Sequence, residues 1–193
     1  MTKTISFRRK RERKTNYRKR LRLLLSGMPR LVARKSLNNI LLQMVEYSPD
    51  GDKVVLSAHS SELAKKFNWK MSTGNVPSAY LTGLLIGKRA KKKGIKNAIL
   101  DMGMHVSVKN SRIYSALKGA IDAGLEIPYA KEMAPPDDIL KGKKIADYAA
   151  KLKKENSEKY KKQFSLYIGN GVEPEKIPGL FEETKKKIMS EDK

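Results

Sequence analysis

The chain has 193 residues, with 42 Lys and Arg against 20 Asp and Glu and a formal net charge of +22. The lack of cysteine excludes disulfides and thiolate metal sites, and the apolar runs fall far short of the roughly 18 residues of a membrane span. The start of the chain lacks a hydrophobic signal region, so we expect a cytoplasmic protein without a membrane partner.

The first 25 residues form a basic arm that holds eleven cations and a single acid, Glu12. The rest of the chain still carries thirty-one cations against nineteen acids, so its body is basic as well. Arginine predominates in the arm, and its planar fork suits phosphate and guanine edges. The arm therefore indicates nucleic-acid binding. The alternatives are a solvated tail and a basic anchor on an anionic membrane surface.

The arm is predicted to change from irregular chain to helix along its length. Residues 1–13 show no periodicity, and we expect them to be disordered unless bound. Thr15 or Asn16 can cap a helix that begins there, and Gly27 and Pro29 end it. Helical spacing predicts an apolar face made of Tyr17, Leu21, Leu24 and Leu25.

Three strands are predicted next, over residues 30–36, 40–47 and 53–58. Between them lie two turn signals, Asn38-Asn39 and the Pro-, Asp- and Gly-containing residues 48–52. Because both connections are short, the three strands should form an antiparallel meander.

Helices and one more strand follow the meander. They are predicted as a short helix at 60–67, a long helix at 75–93, a strand at 97–102 and a second long helix at 111–124. Gly83 and Gly87, four residues apart in the first long helix, should let its backbone approach the sheet closely. The order β-β-β-α-β-α predicts an α/β fold of the α+β type, with helices packed on a mixed sheet.

The last third of the chain is predicted to form a helical appendage. Lys-rich helical stretches are predicted at about 137–154, 158–167 and 178–189, without a thick apolar stripe. They should pack on the core or on RNA. The predicted domains are residues 1–28 as an RNA-binding arm and helix, 29–128 as a mixed-sheet core domain, and 129–193 as a C-terminal helical extension.

The acids and histidines are the candidates for catalysis. Asp101 closes the fourth strand, and Glu62 and Asp122 lie on predicted helices. A two-metal site needs several acids that converge, and the acids here are few and scattered. His59 and His105 show no metal-ligand spacing with each other. Asp101 is therefore interpreted as a strand-end hydrogen-bonding residue, and a metal-dependent nuclease stays open as the alternative.

A second basic patch lies on and beside the first predicted hairpin. It consists of Arg30, Arg34, Lys35, Ser36, Asn38 and Asn39. Cations beside Ser and Asn suit a surface that contacts phosphate and ribose hydroxyls, although an ordinary exposed strand face is the alternative. Aromatic residues are too sparse for a stacking platform, so an RNA partner should be read by its shape and backbone.

Several stretches of this sequence resemble the large-subunit ribosomal protein eighteen family in its archaeal form. They are KTNYRKRL at 14–21, LLLSG at 23–27, PRLVARKS at 29–36, SAHS at 57–60, TGN at 73–75, PSAYLTGLL at 77–85, KGAIDAG at 118–124 and FEE at 181–183. The resemblance covers nearly the whole chain.

The resemblance implies a protein that binds 5S rRNA and attaches it to large-subunit rRNA in the central protuberance. It further implies neighbouring ribosomal proteins as partners, no catalytic activity, no cofactor, and no stable homo-oligomer. The family's RNA contacts concentrate in the arm and the first hairpin. Carried over to this sequence, they are Arg8, Arg9, Lys10, Arg11, Arg13, Lys14, Tyr17, Arg18, Arg20, Arg22, Arg30, Arg34, Lys35, Ser36 and Asn38.

Overall fold

The structure is a computed structural model that describes residues 4–190. Its strands are β1 (Arg30–Lys35), β2 (Ile40–Glu46), β3 (Lys53–His59) and β4 (Ile99–Asp101). Its helices up to the end of the core are α1 (Arg8–Arg11), α2 (Tyr17–Leu24), α3 (Ser61–Phe67), α4 (Val76–Lys92) and α5 (Arg112–Asp122). The later helices are α6 (Asp137–Leu140), α7 (Lys143–Glu155), α8 (Ser157–Gln163), α9 (Ser165–Gly169) and α10 (Ile177–Ser190), with short 3-10 turns at Lys131–Met133 and Pro174–Lys176.

The strands form one mixed sheet in the order β3-β2-β1-β4. β1, β2 and β3 pair antiparallel as the predicted meander, and β4 pairs parallel to β1. A parallel neighbour requires a crossover, and α3 and α4 lie in that connection. The predicted α+β fold with a mixed sheet is confirmed.

The two faces of the sheet have opposite chemistry. Because side chains alternate along a strand, Leu31 and Ala33 of β1 point to one face, together with Leu42 and Met44 of β2, and all four are fully buried. This face packs against α4 and belongs to the main hydrophobic core. The opposite face carries alternate residues of β1, namely Arg30, Val32 and Arg34, which lie near residues of α2 and of the segment before it.

The glycines of α4 meet a helix, so the prediction that they approach the sheet was wrong. A Cβ built on Gly83 would lie 1.9 Å from the carbonyl oxygen of Ala116, and one on Gly87 would lie 2.5 Å from Cβ of Ala123. On the other side, a Cβ on Gly119 would lie 2.1 Å from the carbonyl oxygen of Tyr80. α4 and α5 are therefore in backbone contact through small residues of both helices.

The C-terminal helices contribute to the main core, although their sequence showed no thick apolar stripe. Ile177, Phe181 and Ile188 of α10 are at most 1% exposed and belong to the same cluster as the sheet residues. The helix predicted over 137–154 is interrupted by Gly142, which has a φ of +78°. Among residues 4–190, none of the helices is long and apolar enough to cross a bilayer.

Candidate nucleic-acid interface

The basic arm, which includes α2, lies against the face of the sheet opposite the main core and encloses a groove with it. The groove has a volume of about 840 Å³. Its arm side is lined by Arg9, Lys14, Thr15, Asn16, Tyr17, Lys19, Arg20, Arg22 and Leu23. Its sheet side is lined by Arg30, Val32, Arg34, Gln43, Val45, Asp52, Val54 and residues 99–103.

Local contacts give the arm a defined conformation from Phe7 onward, with a helical turn that the sequence periodicity did not indicate. That residues 1–13 are disordered unless bound stays a prediction. Arg8–Arg11 forms one helical turn, and Nε of Arg9 donates to Oγ1 of Thr15 at 2.9 Å. The rings of Phe7 and Tyr17 lie 5.2 Å apart between centroids. Residues 1–3 lie outside the described residues.

The cap of α2 is Asn16, one of the two residues predicted for that role. Its Oδ1 accepts a hydrogen bond from the backbone N–H of Lys19 at 3.1 Å, which satisfies one of the unpaired donors of the first turn. Its backbone is extended, as an N-cap residue requires. The cap begins the helix at the point where the arm reaches the sheet.

The predicted apolar face of α2 was wrong at two of its positions. Leu21 and Leu25 are 61% and 78% exposed, while Leu23 and Leu24 are half-buried. The helix is turned so that Arg20 faces the sheet, where its Nη1 and Nη2 donate to Oδ2 and Oδ1 of Asp52 at 2.6 and 2.8 Å. This two-point, charge-assisted ion pair joins α2 to the turn before β3.

Asp52 also accepts from Arg30, so one carboxylate joins the arm to the sheet. Nη2 of Arg30 lies 2.5 Å from Oδ2 of Asp52, and Nη1 of Arg30 donates to Oδ2 of Asp101 at 2.9 Å. The hydrogen bond from Arg20, followed by that from Arg30, lowers the pKa of Asp52. The same pair raises the pKa of Arg20. Asp52 therefore stays ionised, with its charge matched by two guanidinium groups.

Asp101 has the hydrogen-bonding role expected at a strand end. Besides Arg30, its Oδ1 accepts from the backbone N–H of Gly103 at 2.7 Å, and Nη2 of Arg34 lies 3.8 Å from that oxygen. Nη1 of Arg34 also donates to the carbonyl oxygens of Ala33 and Asp101 at 2.8 and 3.0 Å. Both carboxylates in the groove are thus occupied by protein partners, which leaves the lining with an excess of positive charge.

The other acids considered for catalysis are also paired, and they lie on separate helices. Glu62 of α3 binds Nη2 of Arg89 at 2.6 Å. Asp122 of α5 binds Nζ of Lys118 at 3.1 Å. Across residues 4–190, no group of three or more His, Asp or Glu side chains could hold a metal ion.

The candidate RNA-binding residues differ in exposure. Those exposed are Arg8, Arg9, Lys10, Arg11, Arg13, Lys14, Arg18, Arg22, Ser36 and Asn38. Those half-buried are Tyr17, Arg20, Arg34 and Lys35. Arg30 is only 3% exposed. Seven members of the set line the groove together: Arg9, Lys14, Tyr17, Arg20, Arg22, Arg30 and Arg34.

Sequence reasoning missed two residues that organise this region. Asp52 was counted only as part of a turn, and nothing in the local pattern shows that it meets arginines from the arm and from β1. Arg112 was missed as well. Its Nη1 donates to the carbonyl oxygens of Leu37 and Gly74 at 3.2 and 2.7 Å, so it joins the β1–β2 turn to the start of α5.

The main core packs on one face of the mixed sheet, and a cation-lined groove lies on the other. This arrangement is typical of a basic α+β protein that binds nucleic acid. Within that class, the chain belongs to the family described as ribosomal large subunit proteins 60S L5, and 50S L18, whose model matches residues 3–97 and 90–130. The resemblance to a large-subunit ribosomal protein is confirmed, and with it an RNA-binding protein of the ribosome. Residues 131–193 lie outside the match.

Proposed function

We propose that this large-subunit ribosomal protein binds 5S rRNA and attaches it to large-subunit rRNA in the central protuberance. Family membership makes rRNA and other ribosomal proteins its partners. The observation that carries the finer proposal is the groove between the arm and the sheet, where the cations gather and both acids are already paired. Such a lining attracts a phosphate backbone and offers little that repels it.

The proposed contacts fall into two roles. Exposed cations of α1 and α2, such as Arg11, Arg18 and Arg22, bind phosphates directly. Arg30 stabilises the groove and does not bind phosphate directly, because it is buried and its guanidinium group is bound by Asp52 and Asp101. Few aromatic side chains lie near the groove, and Tyr17 is in ring contact with Phe7. At the groove, the RNA is therefore recognised through its backbone and shape.

Co-purification tests the proposal. A tagged full-length chain expressed in cells is expected to sediment with large ribosomal subunits, and the free pool is expected to carry 5S rRNA. A protein that sediments apart from large subunits, without 5S rRNA, would contradict the proposal. Size-exclusion chromatography of the free protein is expected to give a monomer.

We also propose that the chain is not a catalyst. The nuclease alternative depends on Asp101, whose oxygens are held by Arg30 and Gly103. Labelled RNA incubated with the purified protein and Mg²⁺ is expected to stay intact. Cleavage that disappears in Asp101→Asn would support the nuclease instead.

A further inference from the structure

A second basic surface lies beside the groove, and it exposes aliphatic side chains that the core does not use. Leu37, at the tip of the β1–β2 hairpin, is 91% exposed. In the loop after β4, Met104 and Val106 are 52% and 76% exposed. We call these three residues, with the neighbouring cations Arg34, Lys35 and Arg112, the hairpin–loop surface.

Side-chain contacts join the hairpin to the loop and to the start of α5. Arg112 binds the carbonyl oxygen of Leu37 at 3.2 Å. Gly103 lies against the guanidinium group of Arg34, since a Cβ added there would be 2.9 Å from Cζ. His105, between the two exposed loop residues, is close enough to Lys35, Arg34 and Arg112 that their charges lower its pKa, after the larger effect of burial.

The loop is anchored at several points, so the exposure of its aliphatic residues is a property of a defined conformation. Oγ of Ser107 and the hydroxyl of Tyr114 are 2.6 Å apart. The backbone N–H of Asn110 donates to the carbonyl oxygen of Met133 at 3.1 Å. Met102 packs against the main core. Between these anchors the chain turns Met104 and Val106 outward.

The charge around these residues selects the partner. Residues 30–45 and 102–121 contain no Asp or Glu. The acid nearest to this surface is Asp101, which lies 3.8 Å from Nη2 of Arg34 and is already bound by Arg30. Unpaired bases in RNA loops and bulges offer apolar faces beside phosphate charges, which is the pattern complementary to aliphatic side chains ringed by cations.

Resting on the RNA-binding function proposed above, we propose that the hairpin–loop surface takes unpaired bases of an RNA loop or bulge. The groove of the arm and sheet holds the phosphate backbone, and the exposed Leu37 and Val106 cover the faces of bases that are not stacked in a helix. The two surfaces share Arg34, which lines the groove and lies against Gly103 of the loop.

The experiment compares two synthetic RNAs of equal length, one a perfect duplex and one with an unpaired internal loop. The full-length parent is expected to bind both and to prefer the looped RNA about tenfold, the size expected for burying one aliphatic side chain. The double variant Leu37→Ser, Val106→Ser is expected to keep the duplex affinity and lose the preference. Its thermal melting should match the parent, because both side chains are exposed.

The matched control is Leu166→Ser, Ile168→Ser, which removes aliphatic groups that are 80% and 44% exposed on α9. It should bind both RNAs like the parent. A parent without preference for the looped RNA, or a Leu37→Ser, Val106→Ser variant that keeps it, would overturn the inference. A parent that binds 5S rRNA but neither synthetic RNA would overturn the inference alone, whereas a parent that binds none of the three would contradict the proposed function as well.

A photo-reactive amino acid at position 106 separates the RNA partner from a protein partner. In the complex with the looped RNA, cross-links to the unpaired nucleotides are expected. Cross-links confined to paired nucleotides would overturn the inference. In large subunits assembled with the modified chain, a cross-link to another protein instead of rRNA would overturn it too, by assigning the surface to a protein.

Discussion

Asp52 holds two arginines that are far apart in the sequence, Arg20 of the arm and Arg30 of β1. Arg30 is buried, and its Nε has no hydrogen-bond partner among the described residues, so its remaining donors depend on Asp52 and Asp101. A single carboxylate in a turn thus links the arm to the sheet. Its removal should affect the stability of the fold and the position of the arm together.

We expect Asp52→Asn to lower the free energy of unfolding by about 1–2 kcal/mol, because it leaves a buried guanidinium group incompletely paired. Urea denaturation measures this change. The matched control is Asp50→Asn, an exposed carboxylate of the same turn, which should change stability little. Equal effects of the two variants would show that the contacts of Asp52 do not stabilise the fold.

The pH dependence of the same pair has a defined sign. The pKa of Asp52 is lowered from its ordinary value of 3.8, so the folded state binds the proton less well than the unfolded state. The stability gained from this group is complete above that ordinary value and is lost as the pH falls through the lowered pKa. The stability difference between the parent and Asp52→Asn should therefore be largest near pH 7 and shrink below about pH 4. A difference that is constant from pH 7 to pH 3 would contradict this assignment.

At the scale of elements, the contact between α4 and α5 depends on the absence of side chains. Gly83, Gly87 and Gly119 each lie where a Cβ would come within 2.5 Å of the facing helix. Interiors are packed too densely to accept an added methyl group there without movement. The pair forms the helical layer that packs against the sheet.

We expect Gly83→Ala to lower the free energy of unfolding by about 3 kcal/mol, because the new Cβ collides with the backbone of Ala116. Thermal or urea unfolding measures it. The control is Gly179→Ala in α10, where a Cβ meets no described atom within 4 Å. That change should be neutral or stabilising by up to about 1 kcal/mol, from helix propensity alone. Similar decreases in the free energy of unfolding at the two positions would show that the close approach of α4 and α5 is not the reason why Gly83→Ala destabilises the fold.

At the scale of the whole molecule, the net charge is distributed unevenly along the chain. Residues 1–130 carry 27 Lys and Arg against 8 acids, while residues 131–193 carry 15 against 12. Most of the net charge thus lies in the part that the family model matches. The C-terminal helices add buried residues to the core and contribute little to the positive electrostatic field of the protein. The division into domains at residues 28 and 128 stays a prediction.

We expect RNA affinity to fall steeply with salt, and removal of residues 1–14 to make that dependence shallower. Every cation that no longer binds a phosphate reduces the slope of log K against log salt by about 0.9 on a duplex, and the deleted segment contains seven cations. Binding of 5S rRNA at several salt concentrations measures the slope. An affinity of the parent that does not change with salt would contradict an interface made by the arm.

The same truncation should leave the cooperative melting of the core intact. Residues of the main core begin at Leu31, and α1 has no buried residue. Loss of cooperative melting in the truncated chain would show instead that the arm is part of the core.

Short-range patterns determined much of this protein. The basic arm, the order of the elements, the antiparallel meander and the capping of α2 by Asn16 all depend on residues within a few positions of each other. The basic patch on the first hairpin was also visible in the sequence, and two of its members, Arg30 and Arg34, line the groove. Composition alone showed the positive charge, and this charge indicated a nucleic-acid partner.

Tertiary structure decided what depends on residues far apart in the chain. Arg20 faces the sheet in place of Leu21 because Asp52, 32 residues away, meets it there. Arg30 has a structural role because its guanidinium group is bound by the carboxylates of Asp52 and Asp101. Gly83 faces a neighbouring helix because α5 folds back against α4. One side of α10 is buried because Phe181 packs against Tyr80 of α4. No local pattern contains these pairings, since each depends on the distance between two groups that only the folded chain brings together.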